Sequence, residues 1–233
     1  MAAAIAACRN RKTAGREIVI LEKKDRIGKK ILVTGNGKCN LTNLSFSSAH
    51  PEYYYRGENT EKLRTMFEHF GPEDTLLFFR RMGMLTMEKN GYVYPLSQQA
   101  STVLDTLRFE LERLQVETVV NCRIINMKRF KNGEYEVKSI RTDGESEKEE
   151  IWHFEKLILA CGSPAGQKTG EGSDGYAYAR AFGHRILEPM PALVQLRCGG
   201  DFWKQLAGVR TGASVTLTVR RKGKPPFVCR EQG

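Results

Sequence analysis

Gly28 to Asn43 reads GKKILVTGNGKCNLTN, a segment that gathers glycines, lysines and small amides directly behind a strand-like run. Gly28, Gly35 and Gly37 let the backbone take positive φ and come close to a ligand, while Lys29, Lys30 and Lys38 bring positive charge to an anion. Asn40, Thr42 and Asn43 both donate and accept, which suits the hydroxyls of a ribityl chain or a ribose. On composition alone the same stretch also reads as an ordinary polar loop. Its neighbours decide between the two.

Upstream, REIVILEKK (Arg16 to Lys24) is a short aliphatic run ending in an acid, preceded by the Ala-rich helical pattern MAAAIAACRNRK. Helix, strand and terminal acid form the second half of a Rossmann βαβ unit, in which the acid hydrogen-bonds the adenosine ribose. Glu22 is therefore the candidate ribose acceptor, with Lys23 beside it. A solvated carboxylate at a strand end is the ordinary alternative. No G-x-G-x-x-G turn occurs ahead of Glu22.

At 233 residues and 40% hydrophobic content the chain can bury a sizeable core as one domain, or one and a part. No apolar run approaches the length of a membrane span, and the basic residues follow the Ala-rich start rather than precede it, unlike a signal peptide. Six cysteines (Cys8, Cys39, Cys122, Cys161, Cys198, Cys229) are scattered without a C-x-x-C pair or zinc-like spacing, and read as reduced cytoplasmic thiols. Cys39 lies inside the ligand loop; a buried structural role is favoured over a redox one. The net charge of +10 raises a second hypothesis, a basic nucleic-acid-binding or non-catalytic module. Its basic cluster is confined to Arg220, Arg221, Lys222 and Lys224 before two prolines, the pattern of a solvated turn between strands. Part of the positive charge can instead serve an anionic pyrophosphate.

Periodicity organises the remainder. Apolar residues at helical spacing over Thr60 to Met84, interrupted by Gly71 and Pro72, predict two helices, and Ser101 to Leu114 a third with Val103, Leu104, Leu107 and Leu111 on one face. Alternation then predicts strands at Glu117 to Lys128, Glu134 to Ile140 and Glu150 to Ala160, with Asn132 and Gly133 turning the first pair. The last of these, ending in KLILAC (Lys156 to Cys161), is apolar enough for a buried parallel strand. Asp174 and Gly175 precede a helical run, Tyr176 to Phe182, where an Asp ordinarily caps backbone amides. Ser214 to Arg220 alternates again as a strand. His50, His69, His153 and His184 are scattered and none is nominated as an acid or base.

Four motifs carry a resemblance that covers nearly the whole chain: LEKKDRIGKKILVTGNGKCNLTN (Leu21 to Asn43), GYVYPLSQQASTVLDTL (Gly91 to Leu107), LILACGSPAGQKTGEGSDGYAYARAFGH (Leu157 to His184) and MPALVQLRC (Met190 to Cys198). The chain resembles the BaiN/RdsA-like NAD(P)/FAD-dependent oxidoreductases, flavoproteins of two-dinucleotide-binding-domain architecture. The resemblance implies an α/β fold: a Rossmann-like FAD-binding domain with a β-meander insertion over residues 1–192, and from 193–233 the beginning of an inserted β-rich domain. It implies FAD as cofactor, NAD(P)H as electron donor and a small-molecule substrate. It adds Cys39, Ile124, Ala160, Gly162, Asp174 and Gly175 to the cofactor-binding set. The chain departs from the family at Asn36, where a second Gly is usual, and at Cys161 and Ser163, where the family runs ATGG-like. Family members start with a strand and a glycine-rich turn ahead of the first motif and continue beyond the last, so the chain is expected to be a piece of a longer flavoprotein. Its Glu17 to Leu21 strand should then have a vacant neighbouring position.

Overall fold

The computed structural model describes residues 1–10, 15–47, 49–55, 60–163, 174–187, 199–206, 209 and 211–232, and divides into Met1–Ile186 and Leu187–Gly233. The expected domain boundary at 192/193 falls outside the described residues, as do the whole of the fourth motif and Pro164 to Ser173 of the third.

The first unit is organised on helix α4 (Ala100–Arg113), whose Val103, Leu104, Leu107 and Leu111 recur at helical spacing and are all buried. Helix α1 (Ala2–Arg9), built of the strongest helix former, lays Ala4 and Ile5 into the same core. Phe79 of α3 (Pro72–Arg80), Met84, Ile27 and Cys39 complete it. The Gly71 and Pro72 break separates α2 (Thr60–His69) from α3, where Pro72 needs no amide partner and the Gly71 N–H donates to Asp74 Oδ2 at 2.8 Å.

Strand β1 (Val19–Leu21) runs parallel to β5 (Glu117–Val119), Val19 facing Glu117 and Leu21 facing Val119. Among the described residues no strand pairs with the other edge of β1. The single strand expected over Glu117 to Lys128 is two. Asn121, at φ 53°, takes the chain out of the ladder with β1 and into β6 (Cys122–Arg129), the first strand of an antiparallel meander with β7 (Tyr135–Asp143) and β8 (Ser146–Phe154).

The expected strand Glu150 to Ala160 is also corrected. The ladder ends with Phe154, and Lys156 to Cys161 is not a strand; Ile158 is 67% exposed. Apolar content alone does not make a strand, since an extended segment needs a neighbour to take its backbone hydrogen bonds, and among the described strands β1 has only β5 beside it. A small antiparallel sheet, order β2 (Thr42–Asn43), β4 (Tyr92–Pro95), β3 (Thr86–Lys89), was not anticipated. Its signal was present: Asn90 and Gly91, both at positive φ, form the Asn-Gly hairpin turn.

In the second unit α6 (Phe202–Gln205) precedes a hairpin of β9 (Ser214–Arg221) and β10 (Lys224–Gln232), irregular between Lys224 and Phe227, where two prolines have no N–H to donate. The basic cluster sits at the turn of this hairpin. No helix among the described residues is long and apolar enough to cross a membrane.

One charge lies within the otherwise apolar stripe of α4. Glu110 is 6% exposed and accepts from Arg9 Nη2 at 2.7 Å and from Arg113 Nε and Nη2 at 2.8 and 2.7 Å. The Arg113 hydrogen bonds, then those of Arg9, outweigh the cost of desolvation and hold its carboxyl at about 2 against an ordinary 4.5. A depressed carboxylate stabilises the fold fully above its unfolded value and loses that contribution as pH falls through its folded value. Glu110→Gln should therefore cost roughly 2–3 kcal/mol in urea unfolding at pH 7, and the difference from the parent should shrink below about pH 4.5 and be nearly gone near pH 2. Equal midpoints at pH 7 would show that the clamp contributes nothing.

Candidate functional site

Three segments remote in sequence converge at the end of β1. Glu22 ends that strand, its N–H bonded to Val119 O at 2.8 Å and its Oε1 accepting the Lys24 N–H at 2.8 Å. So held, the half-buried carboxylate still has a second oxygen to offer. Lys23 Nζ reaches Asp174 Oδ2 at 2.9 Å, tying the strand end to the first residue of α5 (Asp174–Ala181). Lys30 Nζ donates to the Ser163 carbonyl at 3.2 Å. One turn into α5 the Tyr178 hydroxyl donates to the Ile124 carbonyl at 2.8 Å. Glu22, Lys23, Lys30, Ile124, Gly162, Asp174 and Gly175 thus lie on segments linked by direct bonds, and Tyr178 and Ser163 are members that the sequence did not nominate.

Gly162, at φ +80°, would place a β-carbon 2.9 Å from Lys30 Nζ, and one on Gly175 would lie 3.0 Å from Cys161 Cβ. At Gly162 the positive φ is what favours glycine, since the lysine tip can move aside, while a side chain at Gly175 would make Cys161 shift by a few tenths of an ångström. The Cys161 thiol is pushed up by desolvation first and then by the Asp174 and Glu22 carboxylates, so it stays a neutral thiol and is no nucleophile at neutral pH. Tyr178 is raised as well, by desolvation and then by Asp174. Ala160 is exposed on the segment leading to Cys161.

The remaining candidates form a second group around β2. Ile31–Gly37 is a pair of 3-10 turns across a kink, with Gly35 at φ 53°, Asn36 at 54°, Gly37 at 81° and, just beyond, Cys39 at 57°. The turn satisfies its own amides, Lys38 N–H on Gly35 O and Cys39 N–H on Thr34 O. A β-carbon on Gly28 would strike Leu104 Cδ1 at 2.4 Å, and one on Gly35 the Asn40 nitrogen at 2.8 Å, so these two glycines serve packing and turn geometry. At Gly37 it would meet nothing within 4 Å, which leaves that backbone open to an approaching group. Cys39 is buried in the core, and Asn40 is exposed. Thr42 and Asn43 pair with Val93 and Tyr92, and Asn43 Oδ1 accepts the Ser45 N–H at 2.8 Å. Lys38 Nζ donates to Gln98 Oε1 at 3.0 Å, and Lys29 pairs with Asp25.

The first group fits the adenosine half of a dinucleotide. It offers an oriented carboxylate at the carboxyl end of a parallel strand, glycines at close approach and lysines at the rim. A family model described as HI0933-like protein Rossmann domain matches residues 1–223. The chain belongs to the HI0933-like Rossmann family. This HI0933-like chain is 40% identical over 220 residues to a 3-dehydro-bile acid delta(4,6)-reductase of Clostridium scindens, a match covering 94% of the chain and 50% of the relative. It is 23% identical over 204 residues to a ribosomal RNA dihydrouridine synthase of Haemophilus influenzae (87% of the chain, 49% of the relative). The corresponding Escherichia coli enzyme is 24% identical over 206 residues (87% and 48%). The chain spans about half the length of the curated relatives it matches.

The turn beside Asn43 can be tested separately. A β-carbon on Gly91, at φ +82°, would sit 2.2 Å from Ser45 Oγ and 2.8 Å from Asn43 Oδ1, whereas one on Gly133, at φ +90°, would meet nothing within 4 Å. Gly133→Ala should cost about 1 kcal/mol from backbone strain alone, and Gly91→Ala roughly 1–2 kcal/mol more because the clash adds to it. Urea unfolding of the two variants checks this, and equal losses would mean that Ser45 and Asn43 move aside freely.

Proposed function

We propose that this chain forms the FAD-binding part of an oxidoreductase that passes hydride from NAD(P)H through FAD to a small-molecule substrate. The observation that carries the reading is Glu22, a carboxylate at the end of a parallel strand whose one oxygen is fixed by the Lys24 N–H. Its other oxygen would accept from the adenosine ribose hydroxyls. Lys23 and Lys30 would hold positive charge beside the bound anion while anchoring α5 and Ser163, and Gly162 and Gly37 would admit it. FAD, when bound, supplies the hydride chemistry; the protein binds and orients it. That one relative, at 40% identity, is a reductase of a bile acid supports reduction of a small molecule by the whole protein. The relatives that act on ribosomal RNA are only 23% and 24% identical, so a nucleic-acid substrate is the weaker alternative despite the net charge of +10.

The test is Glu22→Gln in the whole protein. FAD affinity should fall by roughly tenfold to a hundredfold, because the hydrogen bonds to the ribose lose their charge assistance. Thermal stability without ligand should hold, since a glutamine Oε1 can still accept the Lys24 N–H. Equal FAD affinity in mutant and parent would remove Glu22 from the site. A whole protein that neither retains FAD nor oxidises NAD(P)H would overturn the reading itself.

A further inference from the structure

Away from the Glu22 region, the first unit carries an open cleft of about 620 Å³ between the Met82 to Leu85 turn, the Leu96 to Ser97 corner and one side of α4. This volume lies within the usual range for small-molecule sites. Met82, Met84, Leu85, Leu96 and Phe109 make its walls, and Arg113 stands at one end. Leu85, Leu96 and Phe109 are 67%, 55% and 66% exposed, an unusual concentration of large apolar side chains facing water. The hydroxyls that line the cleft are already engaged, Ser97 with Thr102 at 2.7 Å and Thr106 with the Thr102 carbonyl at 2.7 Å. The wall is therefore mostly apolar apart from its charged end.

That end is not neutral. Arg9 and Arg113 both bond the one carboxylate of Glu110, which leaves a net charge of about +1 on the cluster. Arg113 spends Nε and Nη2 on Glu110, while its side chain is 65% exposed and its Nη1 edge is turned to no partner within the cluster. A guanidinium in this position recognises an oxyanion through charge-assisted hydrogen bonds. Apolar walls ending in a single surplus cation match one kind of occupant.

We propose that the cleft binds an amphipathic monoanion: an apolar body seated on Met82, Met84, Leu85, Leu96 and Phe109, with its carboxylate on Arg113. The site shares no residue with the Glu22 group, so it stands or falls independently of the FAD reading. The probe is 11-(dansylamino)undecanoate, titrated into the whole protein and followed by dansyl fluorescence. The expected result is saturable binding with blue-shifted emission, unchanged by excess FAD. The corresponding uncharged alcohol should bind at least roughly tenfold more weakly, and Arg113→Gln should weaken the acid by a similar factor. Leu85→Glu, at a residue exposed enough to leave the fold intact, should do the same by setting a like charge in the cleft. Non-saturable binding, an alcohol that binds as tightly as the acid, or full affinity retained in either variant would overturn the proposal. Displacement of the probe by FAD would place it in the Glu22 region and overturn it equally.

Discussion

Leu104 occupies the space that a β-carbon on Gly28 would need. Because residue 28 has no side chain, the glycine-rich segment lies directly on α4, and Ile27 and Cys39 enter the same core as Val103, Leu107 and Leu111. Burying such a side chain contributes about 1.5–3 kcal/mol, so this contact surface outweighs any single polar interaction in the unit. The position of the loop relative to β1, and with it the placing of Glu22, Lys30 and Gly37, rests on that packing.

The polar ties of the candidate site are of another order. Lys23 and Asp174 are 43% and 46% exposed, and a pair so open to water contributes little to stability. Such ties register segments and do not hold them together. Glu110 is the contrast, an equally simple ion cluster that burial makes consequential. The lysines that looked like free charge for an anion are engaged with Asp25, Ser163, Gln98 and Asp174, so the site is more pre-organised, and less electropositive, than its composition suggests.

Local structure was legible wherever one strong physical signal acted alone. The breaks at Gly71 and Pro72, the apolar stripe of α4, the turn at Asn132 and Gly133, and the positive φ at Gly28, Gly35 and Gly37 all follow from steric rules that operate within a few residues. So did the acid at the end of β1, because the helix–strand–acid order is itself local. Misreadings arose where a partner strand decides. Lys156 to Cys161 has strand composition but no described strand to ladder with, and Glu117 to Arg129 is cut in two because Val119 belongs with β1 while Cys122 belongs with β7. The hairpin at Asn90 and Gly91 carries the same Asn-Gly sequence signature as the turn at Asn132, so it too is encoded locally.

By itself, then, the sequence determined the Rossmann-like character of the chain, the glycine positions and Glu22 as a strand-end acid, since backbone sterics and periodicity act along the chain. Only the tertiary structure decided that Gly28 packs against Leu104, that Lys23 and Lys30 secure α5 and Ser163, and that Tyr178 reaches Ile124. It also decided that Arg9 and Arg113 converge on Glu110 beside an apolar cleft. Apart from Arg113 and Glu110, neighbours one turn apart on α4, these pairings join residues far apart in sequence, Arg9 and Glu110 among them, and no local pattern encodes a distance that only the packed core sets.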